Sequence, residues 1–201
     1  MAETPVAGPQ IGGEMGDNIV KISKIMTPEE IVEYFRQHLG DSVVDTRVDI
    51  HEQGLSRYRM QSVWIRVKRE SFRDAVKLLA TIHSPLHISV ASGADLGDEI
   101  ELNYHFHVYW GLGKKEISVT IGARCPKSDP HFPSISDLAP GAIITEREKQ
   151  EFLGVIMDGI PDGRPLFLAE SLPPDVHPWR KDPEEQEKLK KYVRNVHEEG
   201  V

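Results

Sequence analysis

Cysteine is nearly absent from this chain of 201 residues: Cys125 stands alone. One thiol cannot close an internal disulfide, and one thiolate cannot hold an iron–sulfur cluster or a four-cysteine zinc site. This usage fits an intracellular protein whose redox metals, if it serves a redox system, sit in other chains. Positive charge is in deficit, with 24 Lys+Arg against 32 Asp+Glu and a net charge of −8, and no basic face for nucleic acid is evident. No apolar run approaches the ~20 residues of a membrane-spanning helix. The start of the chain lacks the basic-then-apolar pattern of a signal peptide. Met1 to Gly16 is small and polar with Pro5 and Pro9, and residues 1–20 read as a flexible arm. Hydrophobic residues make up 39%, which places some segments outside a core. GxSxG, HExxH and CxxC are all missing, so no independent active site is indicated.

What is present begins with a helix signal. Thr27-Pro28-Glu29-Glu30 combines a capping threonine, proline in the first turn and the glutamate of a capping box. Ile31, Val32, Phe35 and Leu39 follow on one face, and Gly40 ends the helix. Ser42 to Ile50 and Gln61 to Lys68 are rich in β-branched residues and read as a hairpin around Gly54, with Trp64 on the face opposite Val63, Ile65 and Val67. Ser71 and Asp74 open a second helix with the stripe Phe72, Ala75, Val76, Leu79 and Ile82, ended by Pro85. Leu86 to Ala91, Ile100 to Trp110 and Lys115 to Ala123 read as strands; Ser92 to Asp98 reads as a turn and Gly111-Leu112-Gly113 as a hairpin. The order αββαβββ over residues 21–125 predicts an α+β fold, a single mixed or antiparallel sheet with its helices on one side.

Beyond Cys125 the character changes. Pro126, Pro130, Pro133 and Pro140 forbid a continuous ladder or helix. Residues 126–183 read as an extended proline-rich C-terminal arm, interrupted by a short helix from Glu146 to Val155 capped by Thr145. Residues 184–201 read as a peripheral terminal helix. The arm carries Phe132, Ile135, Leu138, Leu166, Phe167, Leu168 and Trp179. Apolar side chains in irregular chain need a surface to remove them from water, and the expectation is that partner subunits supply it.

Other constellations are weaker. His105 and His107 share a strand face and could approach a metal with His87 and His83, but no cysteine or acid stands at ligand spacing. Ordinary strand histidines are the simpler reading. Glu146 and Glu148 are two apart and diverge on a helix, so they read as acids near a helix N-terminus rather than a catalytic pair. Cys125 beside Arg124 lacks a histidine partner and reads as structural. Gly111 to Lys115 lacks the serine or threonine of a phosphate loop.

The blocks of the second half resemble the signature of the 30-kilodalton accessory subunit family of respiratory complex I and related membrane-bound [NiFe] hydrogenases. The matching residues are Pro133-Ser134-Ile135-Ser136-Asp137-Leu138, Pro140-Gly141-Ala142, Glu146-Arg147-Glu148, Phe152-Leu153-Gly154-Val155 and His177-Pro178-Trp179-Arg180-Lys181-Asp182, with Tyr104-His105 preceding them. Departures are Ile143-Ile144 where the family has an aromatic pair, Gln150-Glu151 at its Y/W-D step, and a reduced stretch from Gly159 to Leu168. They point toward the hydrogenase-type or ferredoxin-dependent branch.

The resemblance implies a non-catalytic, cofactor-free subunit on the cytoplasmic side of a membrane complex. It would pack against a catalytic large subunit, a small iron–sulfur subunit and a ferredoxin-like subunit, which hold the iron–sulfur clusters and any NiFe centre. It further implies interface roles for Pro133, Ile135, Glu146, Arg147, Glu148, Phe152, Arg164, His177, Pro178, Trp179, Arg180, Lys181 and Asp182. A complex I-type quinone-reducing assembly, a stand-alone histidine-based metal protein and a small enzyme acting through Cys125 are the alternatives.

Overall fold

The computed structural model describes residues 21–199 except Ser56, Gly113 and Lys114; the N-terminal arm, residues 1–20, lies outside them. The elements are β1 (Lys21–Ile22), α1 (Pro28–Leu39), β2 (Val43–Gln53), β3 (Tyr58–Val67), α2 (Phe72–Ile82), β4 (His83–Ser84), β5 (His87–Asp95), β6 (Glu99–Val108), β7 (Ile117–Pro126), β8 (His131–Pro133), α3 (Ala142–Leu153), β9 (Ile156–Asp158) and α4 (Pro183–Glu199). The expected α+β order αββαβββ is present. Strands β2-β3-β7-β6-β5 form one mixed sheet, antiparallel throughout except where β3 and β7 run parallel.

Local chemistry explains most of the boundaries. The capping box of α1 is formed, with the Thr27 hydroxyl accepting from the Glu30 N–H and the Glu30 carboxylate accepting from the Thr27 N–H. Ser71 does not cap α2, because its hydroxyl is donated to Ser42 Oγ at 2.9 Å. Residues 92–95 are not a turn but the end of β5, paired with β6; only 96–98 reverse the chain. Helix α3 starts at Ala142, four residues earlier than Glu146, with Gly141 at its N-cap. Thr145 therefore lies inside it and returns its hydroxyl to the Ala142 carbonyl.

The sheet has one greasy and one polar face. Along β6, Ile100, Leu102, Tyr104, Phe106 and Val108 are buried and alternate with half-buried Glu99, Glu101, Asn103, His105 and His107. Val63, Ile65 and Val67 are buried, whereas Trp64 on the other face is 39% exposed. Phe72 of α2 meets Tyr104 at 4.8 Å between ring centroids, and α3 reaches the same face through Glu146. Gly93 of β5 makes room for α3, since a Cβ there would stand 2.5 Å from Leu153 Cδ1.

The second half corrects one expectation. Phe132, Ile135, Ala139, Ala142, Leu153, Val155 and Met157 belong to the same buried cluster as the sheet and the first two helices. Phe132 lies 4.8 Å from Phe72, and β8 and β9 pair in parallel. The surface that shields these apolar side chains is the chain's own sheet and α2. Prolines prevented regular ladders there, but not burial.

Candidate functional site

Three ties fasten the second half to the sheet, and together they leave a limited surface outside. The first centres on Glu146. Its side chain is fully buried and accepts from the Ser134 hydroxyl at 2.6 Å, the Ile135 N–H at 2.9 Å and the Tyr104 hydroxyl at 3.2 Å. Burial pushes its pKa above the ordinary range, while these donors and nearby Arg73 pull the other way. Arg73 grips Asp137 with two hydrogen bonds of 2.9 and 2.6 Å and also donates to the Ser134 carbonyl. Glu146 thus holds the Pro133-Ser134-Ile135-Ser136 segment from within. Glu146 and Ile135 have no exposed surface, so they shape the fold rather than meet a partner.

The second tie is the underside of a strap, residues 160–168. Arg147 donates to the Arg164 carbonyl at 2.8 Å and the Pro165 carbonyl at 3.4 Å. One helical turn on, the Glu151 carboxylate accepts from the successive N–H groups of Leu166, Phe167 and Leu168. Arg164 itself points outward, 84% exposed, and pairs with Asp162 at 2.8 Å.

The third tie is the closing block. Gly154 ends α3 in the left-handed region at φ 65°, and the His177 ring lies so close that a Cβ on Gly154 would stand 2.5 Å from it. His177 Nδ1 bonds the Glu151 carbonyl at 3.0 Å, Trp179 N–H donates to the Phe152 carbonyl, and the buried Arg180 donates to the Leu153 carbonyl. The unpaired carbonyls at the C-terminus of α3 are thereby satisfied. Asp95 completes the tie from the sheet, accepting from Lys181 N–H at 2.7 Å and pairing with Lys127 at 2.7 Å, while Lys127 also binds Asp182 at 2.9 Å. Burial alone would raise the Asp95 carboxyl, but Lys127 and the N–H groups of Lys181 and Gly97 hold it below the usual range. Sequence reasoning missed Asp95, Lys127, Glu151 and Arg73, because nothing local marks a residue whose partner lies 15 or more positions away.

Outside these ties lies an aromatic cluster. The Phe152 ring centroid lies 4.5 Å from that of Trp179 and 6.2 Å from that of Phe167, tilted against both, and Lys149 Nζ sits 4.8 Å from the Trp179 centroid. Trp179, Phe167 and Leu166 are each between 41% and 49% exposed. Of the interface residues expected from the resemblance, Phe152 and Trp179 meet here, while Arg147 lies under the strap and Arg164 points outward from it. Lys181 is exposed, while Glu148, His177, Pro178, Asp182 and, on the first tie, Pro133 are half-buried.

The alternative sites look different once folded. His105 is engaged on both ring nitrogens, by Ser92 Oγ at 2.8 Å and Thr120 Oγ1 at 3.0 Å, and His107 Nδ1 is held by Glu116 at 2.7 Å. Among the described residues no group of three or more His, Cys, Asp or Glu side chains could hold a metal ion. Burial pushes the Cys125 thiol up to about 11, which leaves it protonated and a poor nucleophile near neutrality. No helix of the described residues is long and apolar enough to cross a membrane.

Comparison with known proteins accords with this geometry. The chain is 31% identical over 127 residues to a membrane-bound hydrogenase subunit beta of Pyrococcus furiosus, covering 63% of this chain and 73% of that protein. It is 34% identical over 129 residues to hydrogenase-4 component G of Escherichia coli, but spans only 22% of that larger protein. It is 29% identical over 144 residues to one of the subunits of the NADH-quinone oxidoreductase of Acidothermus cellulolyticus, covering 72% of this chain and 70% of that one. Its fold matches a chain in the structure of the membrane-bound sulfane sulfur reductase, an archaeal respiratory membrane complex, with a TM-score of 0.62 at 20% identity over 83% of this chain and 91% of that chain. Residues 65–188, which contain the three ties and the aromatic cluster, match the family described as the respiratory-chain NADH dehydrogenase 30 Kd subunit, and the chain belongs to that family.

Proposed function

We propose that this chain is a structural, non-catalytic subunit of a membrane-associated oxidoreductase complex of the hydrogenase-type or ferredoxin-dependent branch. It docks peripherally, on the cytoplasmic side, against a catalytic large subunit and against iron–sulfur and ferredoxin-like subunits. Those partners carry the clusters and any NiFe centre, and this chain's contact with the membrane is indirect, through them.

The observation that carries this reading is the aromatic cluster. Phe152, Phe167 and Trp179 form a partly exposed apolar surface on a scaffold held by the three ties. Aromatic and arginine side chains on a preorganised base are the residues that most often dominate binding energy, because little entropy is lost when they are covered. The hydrogenase-type branch is supported by the Pyrococcus furiosus relative, whose name is that of a hydrogenase subunit.

The test is affinity purification of the tagged chain from its native host, wild type against a Phe167→Ala/Trp179→Ala double variant. The wild type is expected to bring down cluster-bearing polypeptides and the variant to lose them while remaining folded. Full recovery of a complex by the variant would remove the cluster from the interface. Recovery of no partner by the wild type would overturn the subunit reading itself. Deletion of Leu166 to Asp182 is expected to abolish assembly as well, since it removes both the strap and the closing block.

A further inference from the structure

Away from the C-terminal ties, a short N-terminal strand is clipped beside the ends of α2 and β6, where Ser23 N–H also donates to the Ile82 carbonyl at 3.3 Å. β1 pairs with β4 through Lys21 opposite Ser84 and Ile22 opposite His83. Tyr109, fully buried and at φ 59°, completes the clip. Its backbone N–H donates to His83 Nδ1 at 2.6 Å, and its hydroxyl donates to the Lys24 carbonyl at 2.9 Å and accepts from the Met26 N–H at 3.0 Å. One residue therefore grips the imidazole with its backbone and the segment leading to α1 with its side chain.

The hydrogen bond assigns the tautomer. Nδ1 accepts, so the proton of the neutral ring sits on Nε2, which is buried with no partner among the described residues. A second proton could enter only at Nδ1, where it would face the Tyr109 N–H, donor against donor. The imidazolium would also be stranded: the ring is 1% exposed, and no carboxylate among the described residues bonds it.

The surrounding groups offer no rescue. From β1 and the segment after it the charges are those of Lys21 and Lys24. From β5 it is His87, itself against His107, which is held by Glu116. From the turn after β6, Trp110 stacks on the ring without charge. From α1, Glu30 bears on the Tyr109 hydroxyl rather than on His83.

We propose that His83 is a pH-sensitive fastener: protonating it forces the ring away from Tyr109 and loosens residues 21–26 from Tyr109 and β4. Burial first, and His87 second, hold the His83 pKa below the ordinary 6.5. The sign follows. The unfastened ring binds a proton more readily than the fastened one, so the clip is at full strength above about 6.5 and weakens as pH falls through the lowered value. The five-stranded sheet contains neither β1 nor β4.

The experiment is hydrogen–deuterium exchange on the full chain, corrected for the intrinsic pH dependence, at about pH 7.5 and about pH 5. The hydrogen-bonded amides of Ser23, Met26 and Tyr109 are expected to lose about tenfold or more in protection at the lower pH, while β6 and β7 keep theirs. In His83→Asn, whose Oδ1 stands at the same distance along the side chain as Nδ1 and can accept the Tyr109 N–H but does not titrate, the acid-induced loss is expected to vanish. Equal loss in that variant, or unchanged protection in the wild type, overturns the proposal. Should the variant not fold, NMR titration of the wild type decides: His83 and the Tyr109 amide must shift together, below 6.5. Titration of His83 at or above that value with an unmoved Tyr109 amide is equally fatal.

Discussion

Residues 131–158 and residues 159–182 both carry apolar side chains in chain that lies outside the five-stranded sheet, and use them in opposite ways. The first segment turns its apolar side chains inward, with Phe132 and Ile135 fully buried beneath α2 and α3. The second runs over the outside of α3 and leaves Leu166, Phe167 and Trp179 partly bare. Composition alone does not say whether irregular chain covers its own core or awaits another protein. The difference lies in what anchors each piece. In the first a buried carboxylate, Glu146, draws the backbone in. In the second Arg147, Glu151 and Asp95 take hold of backbone groups, which leaves the side chains free to point outward.

Substitutions in each segment can break or sharpen that contrast. Phe132→Ala should have the largest effect on the isolated chain, a loss of about 3–5 kcal/mol in urea unfolding, because a fully buried ring is replaced by a cavity. Glu146→Ala should cost about 2–3 kcal/mol by the same measurement, since the Ser134 hydroxyl, the Ile135 N–H and the Tyr104 hydroxyl lose their shared acceptor. A loss under about 1 kcal/mol in either would mean that the inner segment is not part of the cooperative core.

Smaller effects belong to the groups that fasten the outer segment and to that segment itself. Asp95→Asn should cost about 2 kcal/mol near neutrality. Because Asp95 is held below its ordinary 3.8 in the fold, its contribution is present above that value and is lost as pH falls through the lowered one. Wild type and variant should therefore converge in acid unfolding curves; parallel curves would show that the charge of Asp95 is not what ties the closing block. Gly154→Ala should cost about 1–2 kcal/mol, from the left-handed backbone and the His177 ring, and should loosen residues 177–182 to proteolysis. Phe167→Ala should change isolated stability by less than about 1 kcal/mol yet weaken partner binding by about 2 kcal/mol or more, measured by co-purification yield and by titration with the purified partner.

Local rules served well where a residue's partner is close in sequence. Thr27 and Glu30 predicted their own capping box, and the Phe72–Ile82 stripe predicted a buried helix face. They failed at Ser71, whose hydroxyl prefers Ser42 across the fold, and at Thr145, which the earlier start of α3 turned from cap into interior residue. The resemblance does not say which way each residue of its blocks faces. Glu146 and Ile135 are interior, Arg180 is nearly so, and Trp179 is outside.

By itself the sequence determined the α+β order, the chain's lack of thiolates for clusters, and the family blocks of the second half, because periodicity, composition and short motifs are written along the chain. Only the tertiary structure decided that β3 and β7 run side by side, that the proline-rich segment closes the core, and that Asp95 and Lys127 meet the closing block. Each of these is a contact between distant positions. It is selected by the burial of apolar area and the pairing of buried charge across the whole fold, and no local pattern carries that information.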